Sequence, residues 1–168
     1  MTHTVSLYTI GHSSHATESF IALLRRHRID LLIDVRSQPY SQWTHQFNRE
    51  VLRQDLIEAG IGYRFMGDRL GGRPNDPHMY DPGEERPNYR RMAESSSHQQ
   101  AIDDLIAIAA QETVAVMCSE GDHAKCHRHL LITQTLLKRG CRVRHIQPDG
   151  TLVEGTAEPE QLSLFGFG

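Results

Sequence analysis

The densest run of reactive side chains is Cys118-Ser119-Glu120-Gly121-Asp122-His123-Ala124-Lys125-Cys126-His127-Arg128-His129, with two thiols, three imidazoles, two carboxyls and two cations. Four readings compete for it. In the first it is an anion cradle. Free backbone N–H groups where a helix begins, together with Lys125 and Arg128, suit a phosphate or carboxylate, with Glu120 as acid or base and Arg128 as clamp. In the second it is a metal site on Cys118, Cys126 and one or two histidines, although two cysteines eight apart match no standard zinc spacing. In the third it holds a nucleophile: a thiol at a helix N-terminus beside arginine and histidine is acidified, which favours Cys126. In the fourth it carries no chemistry, with Cys118 packed as a small apolar group and the rest a solvated loop.

Other candidates lie along the chain. His12 and Ser13 follow Gly11. Asp34 interrupts the apolar run Leu31-Leu32-Ile33-Asp34-Val35, where a carboxylate is costly to bury unless paired. Its nearest partner is Arg36, since side chains two apart on a strand point the same way. A structural ion pair and a catalytic acid/base fit Asp34 equally well. Gly71 and Gly72 sit in residues 67–88, a stretch punctuated by Pro74, Pro77, Pro82 and Pro87. A loop that long is usually functional or disordered, and it is expected to close over a substrate. Tyr40 and Trp43 adjoin Arg36 and Ser41, either to stack on a base or to pack on the next helix. Among the eleven histidines, His27 and His98 read as surface helix positions.

These groups need elements to hold them. Residues 5–10 read as a strand ended by Gly11, and a helix follows, capped by Thr17, with Phe20, Leu23 and Leu24 on one face. Residues 31–35 suit a strand buried on both sides of a parallel sheet. Asn48 caps a second helix bearing Val51, Leu52, Leu56 and Ile57 and stopped by Gly60. Ile61–Met66 predicts a third strand, 89–110 a third helix, 113–117 a fourth strand, 125–139 a fourth helix and 141–146 a fifth strand. The alternation predicts one α/β domain over residues 1–150 with a mostly parallel five-stranded sheet flanked by helices. Right-handed crossovers then put the carboxyl ends of all strands, and with them the candidate residues, on one edge.

A chain of 168 residues with net charge −3 is not a basic nucleic-acid coat protein. Sixteen of its eighteen basic residues are arginines, which suits bidentate phosphate contacts but also simply follows from a GC-rich genome. Three cysteines do not make a disulfide framework. No long apolar run or charged-then-apolar leader is evident, so a cytoplasmic protein off the membrane is expected. No cofactor is indicated.

Two resemblances sharpen this. Thr9-Ile10-Gly11-His12-Ser13, Asp34-Val35-Arg36 with Pro39 and Ser41, His45-Gln46-Phe47-Asn48, Gly60-Ile61-Gly62-Tyr63, Leu70-Gly71-Gly72, Cys118-Ser119-Glu120, Cys126-His127-Arg128 and His145-Ile146 together resemble domain of unknown function 488. The likeness runs over Tyr8–Ile146. One departure is Gln42-Trp43 after Ser41, where the family often has a basic residue. The resemblance implies an α/β fold with a polar cleft holding His12, Ser13, Asp34, Arg36, Ser41, Gly71, Gly72, Glu120, Cys126, His127 and Arg128, but no established reaction. Residues 151–168 read as a flexible tail, and Gln161-Leu162-Ser163-Leu164-Phe165 resembles the bacterial sliding-clamp binding motif. There Gln161 bonds the pocket rim while the pair Leu164-Phe165 fills an apolar pocket, with Leu162 also binding the partner; the other reading packs Leu164 and Phe165 on the domain itself. The joint expectation is an enzyme acting on DNA or nucleotides at the clamp, with a non-catalytic adaptor or a small-molecule enzyme as the alternatives.

Overall fold

The computed structural model describes residues 3–159. The motif residues Gln161, Leu162, Leu164 and Phe165 lie outside that range. Five parallel strands and one antiparallel strand form a single sheet: β1 (Ser6–Gly11), β2 (Leu31–Asp34), β3 (Gly62–Phe65), β4 (Val114–Cys118), β5 (Arg142–Ile146) and β6 (Leu152–Glu154), in the order β3-β2-β4-β1-β5-β6. The fold is thus the expected α/β one, with a sixth strand added. β6 lies in the stretch read as free tail. It is short and its Leu152 and Val153 are exposed, so it has no buried alternation to betray it. An edge position satisfied by backbone bonds to β5 suffices.

The strand order explains the layers. α1 (Thr17–Arg26) and α2 (Arg49–Glu58) carry the chain from β1 through β2 to β3, toward one side of the sheet. α3 (Gly67–Leu70), α4 (Tyr89–Glu94), α5 (Ser96–Ala109) and α6 (Gln134–Lys138) carry it back through β4 to β5. Right-handed crossovers in opposite directions put the two groups on opposite faces. The two cores obey this: Phe20, Leu24, Leu52 and Leu56 pack with Ile10, Leu32 and Met117 on one face. Ile102, Leu105, Ile132 and Leu136 pack with Leu7, Ile33, Val116 and Val143 on the other. The neighbours β1 and β4 therefore send their chains to opposite faces, the arrangement in which open α/β sheets take ligands in a crevice at the carboxyl ends of the strands.

Local differences from expectation have local causes. The predicted helix over 89–110 breaks at Ser95, which is extended and whose hydroxyl accepts from His98 N to cap α5. Thr17 lies inside α1, and Ala16 takes the cap position. Asn48 sits at the cap of α2, but its side-chain oxygen accepts from Ser41 N at 2.7 Å instead. The segment 125–139 is a 3-10 turn, His123–Lys125, then a π-helix, Arg128–Thr133, then α6. Residues 67–88 are built from α3, a 3-10 turn at Pro77–Met79 and loops between. No helix among the described residues is long and apolar enough to cross a membrane.

Gly11 is required by close approach: a Cβ there would lie 1.9 Å from the Glu120 carbonyl oxygen. Gly11→Ala is expected to cost roughly 1–3 kcal/mol through forced displacement of the loop after β4. A denaturant midpoint unchanged from wild type would contradict this.

Candidate functional site

The expected edge is real, but its residues split between the two faces of the sheet. Period-two alternation decides the split. Asp34 and Arg36 fall on the α1–α2 side, and Thr9, Cys118 and His145 on the α5–α6 side.

The first cluster is an anchored arginine. Asp34 is fully buried and Arg36 is 6% exposed. Arg36 Nε donates to Asp34 Oδ1 at 2.9 Å and Nη2 to Oδ2 at 2.8 Å, a two-point pair that fixes the plane of the guanidinium. The Arg36 backbone N–H and the Tyr63 hydroxyl complete the shell of Asp34, at 3.1 and 2.6 Å. A carboxylate so engaged holds Arg36 in place; it is not free to shuttle protons. Burial, then the bond to Asp34, push the Tyr63 phenol up.

Arg36 Nη1 faces His12 Nε2 at 3.4 Å. The His12 ring stacks on Phe47, with centroids 4.4 Å apart. Its Nδ1 lies 2.7 Å from the Ser13 carbonyl, so Nδ1 carries the proton and Nε2 presents a lone pair. Burial, and then the Arg36 charge, lower His12 to about 4, which keeps the ring neutral. Ser13 has φ +47°, a conformation a serine holds only when its surroundings impose it. They do so here through Ser13 N donating to Ser119 O at 2.9 Å.

The second cluster centres on Arg128, which is fully buried. Nε donates to Cys118 Sγ at 3.1 Å, Nη1 to Thr9 Oγ1 at 2.7 Å, and Nη2 to the carbonyls of Glu120 and Gly121 at 3.1 and 3.2 Å. These bonds correct the expected clamp: Arg128 ties protein to protein. Several backbone N–H groups of this segment are also taken: Ala124 N donates to Asp122 Oδ1 and Arg128 N to Cys126 Sγ. Cys126 Sγ donates to Cys118 Sγ at 2.6 Å. Burial raises the Cys118 thiol, but the Cys126 hydrogen bond and the Arg128 guanidinium outweigh it and bring it to about 7. Cys126 is pushed up, first by that same bond and then by burial. The acidified thiol is thus Cys118, where the sequence favoured Cys126. The difference arises because Arg128 Nε points back at the end of β4.

A chain of hydrogen bonds leads outward from Arg128. Thr9 Oγ1 lies 2.6 Å from His145 Nδ1, His145 Nε2 lies 3.2 Å from His129 Nδ1, and His129 Nε2 lies 2.7 Å from Glu158 Oε1. With Arg128 donating to Thr9, one direction satisfies every member: Thr9 to His145, His145 to His129, His129 to Glu158. Residues 155–159 therefore lie on the domain. Gly155 N bonds Val143 O, and Gln134 bridges Thr156 O and Glu158 N.

The remaining candidates are placed as follows. Glu120 is exposed, and its Oε1 accepts from Asp122 N at 3.1 Å. Ser41 Oγ accepts from Trp43 N and Thr44 N, which shapes the loop that leaves Trp43 84% and Tyr40 52% exposed. Helix packing thus does not account for Trp43. Gly71 and Gly72 are tightly packed. A Cβ on Gly71 would meet Ser37 Oγ at 2.2 Å, and one on Gly72 the His127 ring at 2.8 Å. His127 Nε2 lies 3.1 Å from Val35 O. A cavity of about 270 Å³ opens beyond this loop, between Ser37, Arg73, Met79, Met92, Ser95 and His98. His98 itself is buried, against the surface position expected, with Nε2 2.8 Å from Thr135 Oγ1. His27 is half-buried, its Nε2 2.8 Å from Gly150 O. Thr9, Phe47 and Tyr63 each lie inside one of the motifs that carry the family resemblance, but not among the cleft residues it implies; as ordinary strand and helix residues they carry no further sequence signal. Among the described residues no group of three or more His, Cys, Asp or Glu is arranged to hold a metal ion.

The family model described as domain of unknown function DUF488 matches residues 16–134, well over half of the chain. It spans Asp34, Arg36, Gly71, Gly72, Glu120 and the Cys126-His127-Arg128 run, while His12, Ser13 and His145 lie outside it. No curated protein and no solved structure gives a significant match.

Proposed function

The chain belongs to the DUF488 family, and from that premise we propose that it is a cytoplasmic enzyme acting on DNA or nucleotides and brought to sites of replication or repair by the sliding clamp. The observation that carries the reading is Arg36. Asp34 holds its Nε–Nη2 side, and Nη1 faces the lone pair of a neutral His12 at the carboxyl edge of the sheet. A guanidinium whose direction is paid for in advance is suited to phosphate. Glu120 at the exposed end of β4 is the acid/base candidate, and Trp43 and Tyr40 on the loop after Arg36 offer faces for a base. Docking of Gln161, Leu162, Leu164 and Phe165 on the clamp would hold the domain beside DNA threaded through it.

The test uses the full chain, a fluorescent single-stranded oligonucleotide and a purified bacterial sliding clamp. Arg36→Lys should weaken oligonucleotide binding about tenfold or more, the loss of a charge-assisted bond, and Glu120→Gln should leave it within twofold. Leu164→Ala/Phe165→Ala should abolish clamp binding alone. Equal oligonucleotide affinity for wild type and Arg36→Lys would remove the phosphate reading. Clamp binding that survives the double substitution, or is absent from the intact chain, would remove recruitment. Once a substrate is found, turnover retained in Glu120→Gln would point to another acid/base group.

A further inference from the structure

The buried sulfurs take no part in that reading, yet their surroundings are arranged for chemistry. Cys118 ends β4 and Cys126 precedes the π-helix, so seven residues separate them in sequence while their Sγ atoms touch. Both sulfurs receive N–H groups of one residue: Arg128 Nε on Cys118 at 3.1 Å and Arg128 N on Cys126 at 3.5 Å. A guanidinium beside a sulfur stabilises its thiolate. His127 completes the set. Its Nε2 donates to Val35 O, so Nδ1 presents a lone pair, 3.6 Å from Cys126 Sγ. Cys141, also buried, has no such neighbours: burial alone raises its thiol against a weak opposing pull from Arg139.

We propose that Cys118 and Cys126 are a reversible dithiol–disulfide pair, oxidised by hydrogen peroxide, with Cys118 as the attacking thiolate and Cys126 as the resolving thiol. Cys118 sulfur attacks one peroxide oxygen, the O–O bond breaks, and the departing hydroxide takes up the proton that Cys118 had released, giving water and a sulfenic acid at Cys118. His127 Nδ1 then accepts the Cys126 proton. Cys126 sulfur attacks Cys118 sulfur, the S–S bond forms, the S–O bond breaks, and the second hydroxide leaves as water with the proton from His127. Two thiols lose two electrons in total and one hydrogen peroxide becomes two waters. The bond also removes the thiolate that Arg128 Nε serves, at the head of the chain of bonds that ends at Glu158. The pair is expected to form whether or not the substrate of the crevice is a nucleotide.

The full chain is treated with hydrogen peroxide, denatured in an alkylating reagent, digested and weighed. The expected product is one cross-linked species joining the Cys118 and Cys126 peptides, two hydrogens lighter than the sum, with Cys141 recovered alkylated and the link reversed by a dithiol reductant. In Cys126→Ser the link is lost and Cys118 is trapped as sulfenic acid by a dimedone-type reagent. Because the wild-type result stands without any variant, a misfolded substitution cannot mask it. Recovery of both residues of the wild-type chain as alkylated thiols, or of Cys118 as sulfinic acid beside intact Cys126, would overturn the proposal.

Discussion

Asp34→Ala is expected to lower folding stability by about 3–5 kcal/mol, the cost of leaving a buried charge without its partner. In a chain of this length that is a fall in Tm of roughly 6–20 °C. The loss is large because Asp34 is fully buried and receives Arg36 N, Nε and Nη2 as well as the Tyr63 hydroxyl. Without it the Arg36 guanidinium keeps only the long contact to His12. Tyr63→Phe removes one hydrogen bond to a charged group from the same shell and should cost less, about 1.5–3 kcal/mol. Urea midpoints of the two variants separate the alternatives. If Asp34→Ala proved no worse than Tyr63→Phe, the ion pair would not be what holds this corner of the sheet.

Acid should unfold the protein well above the range in which carboxylates titrate. Burial, with Arg36 beside it, lowers His12 to about 4. Burial, then Arg139 and His127, do the same to His98. Burial lowers His127 to about 4 despite the carbonyls of Val35 and Leu70 and with help from Arg128. Burial with His123, Arg128 and His129 takes His145 to about 2. Each is neutral in the fold and titrates near 6.5 once unfolded. Between those values the unfolded chain binds more protons than the folded one, so stability is complete above about 6.5 and falls as the pH drops toward 4, and further for His145. Each histidine contributes a slope approaching 1.4 kcal/mol per pH unit, and the four together set an upper bound of about 5.5 kcal/mol per pH unit. A single pH unit at that slope would remove as much free energy as a marginal domain has.

His98 isolates one share of the effect. Thr135 Oγ1 donates to Leu131 O and so accepts from His98 Nε2, leaving the buried Nδ1 without a partner for a second proton among the described residues. His98→Gln keeps an amide donor for Thr135 and removes the titration. Its stability should lose about one proton's worth of slope between pH 6.5 and 4, measured as urea midpoints at several pH values. Identical slopes would show that His98 already protonates in the fold.

The alternation of apolar runs with helical faces determined the α/β class, the parallel core strands and the edge where the polar residues collect, because burial enforces those patterns residue by residue. The Asp34–Arg36 pair was legible for the same reason: a charge in Leu31-Leu32-Ile33-Asp34-Val35 needs a partner, and two residues along a strand is the nearest place on that side. Strand order was not legible, and it decided the rest. Inserting β4 between β1 and β2 sends neighbouring crossovers to opposite faces, which divides one expected cleft into an anchored arginine on one side and a thiol pair on the other. The same insertion brings Thr9 against Arg128 across 119 residues and turns Arg128 from a clamp into a tie. Sequence pattern reports which side chains must leave water; only the folded chain determines which of them meet, because hydrogen-bond partners far apart in sequence leave no period behind. Residues 151–159 show the same limit, since β6 and the Glu158–His129 contact rest on edge pairing and single polar bonds that no apolar pattern announces.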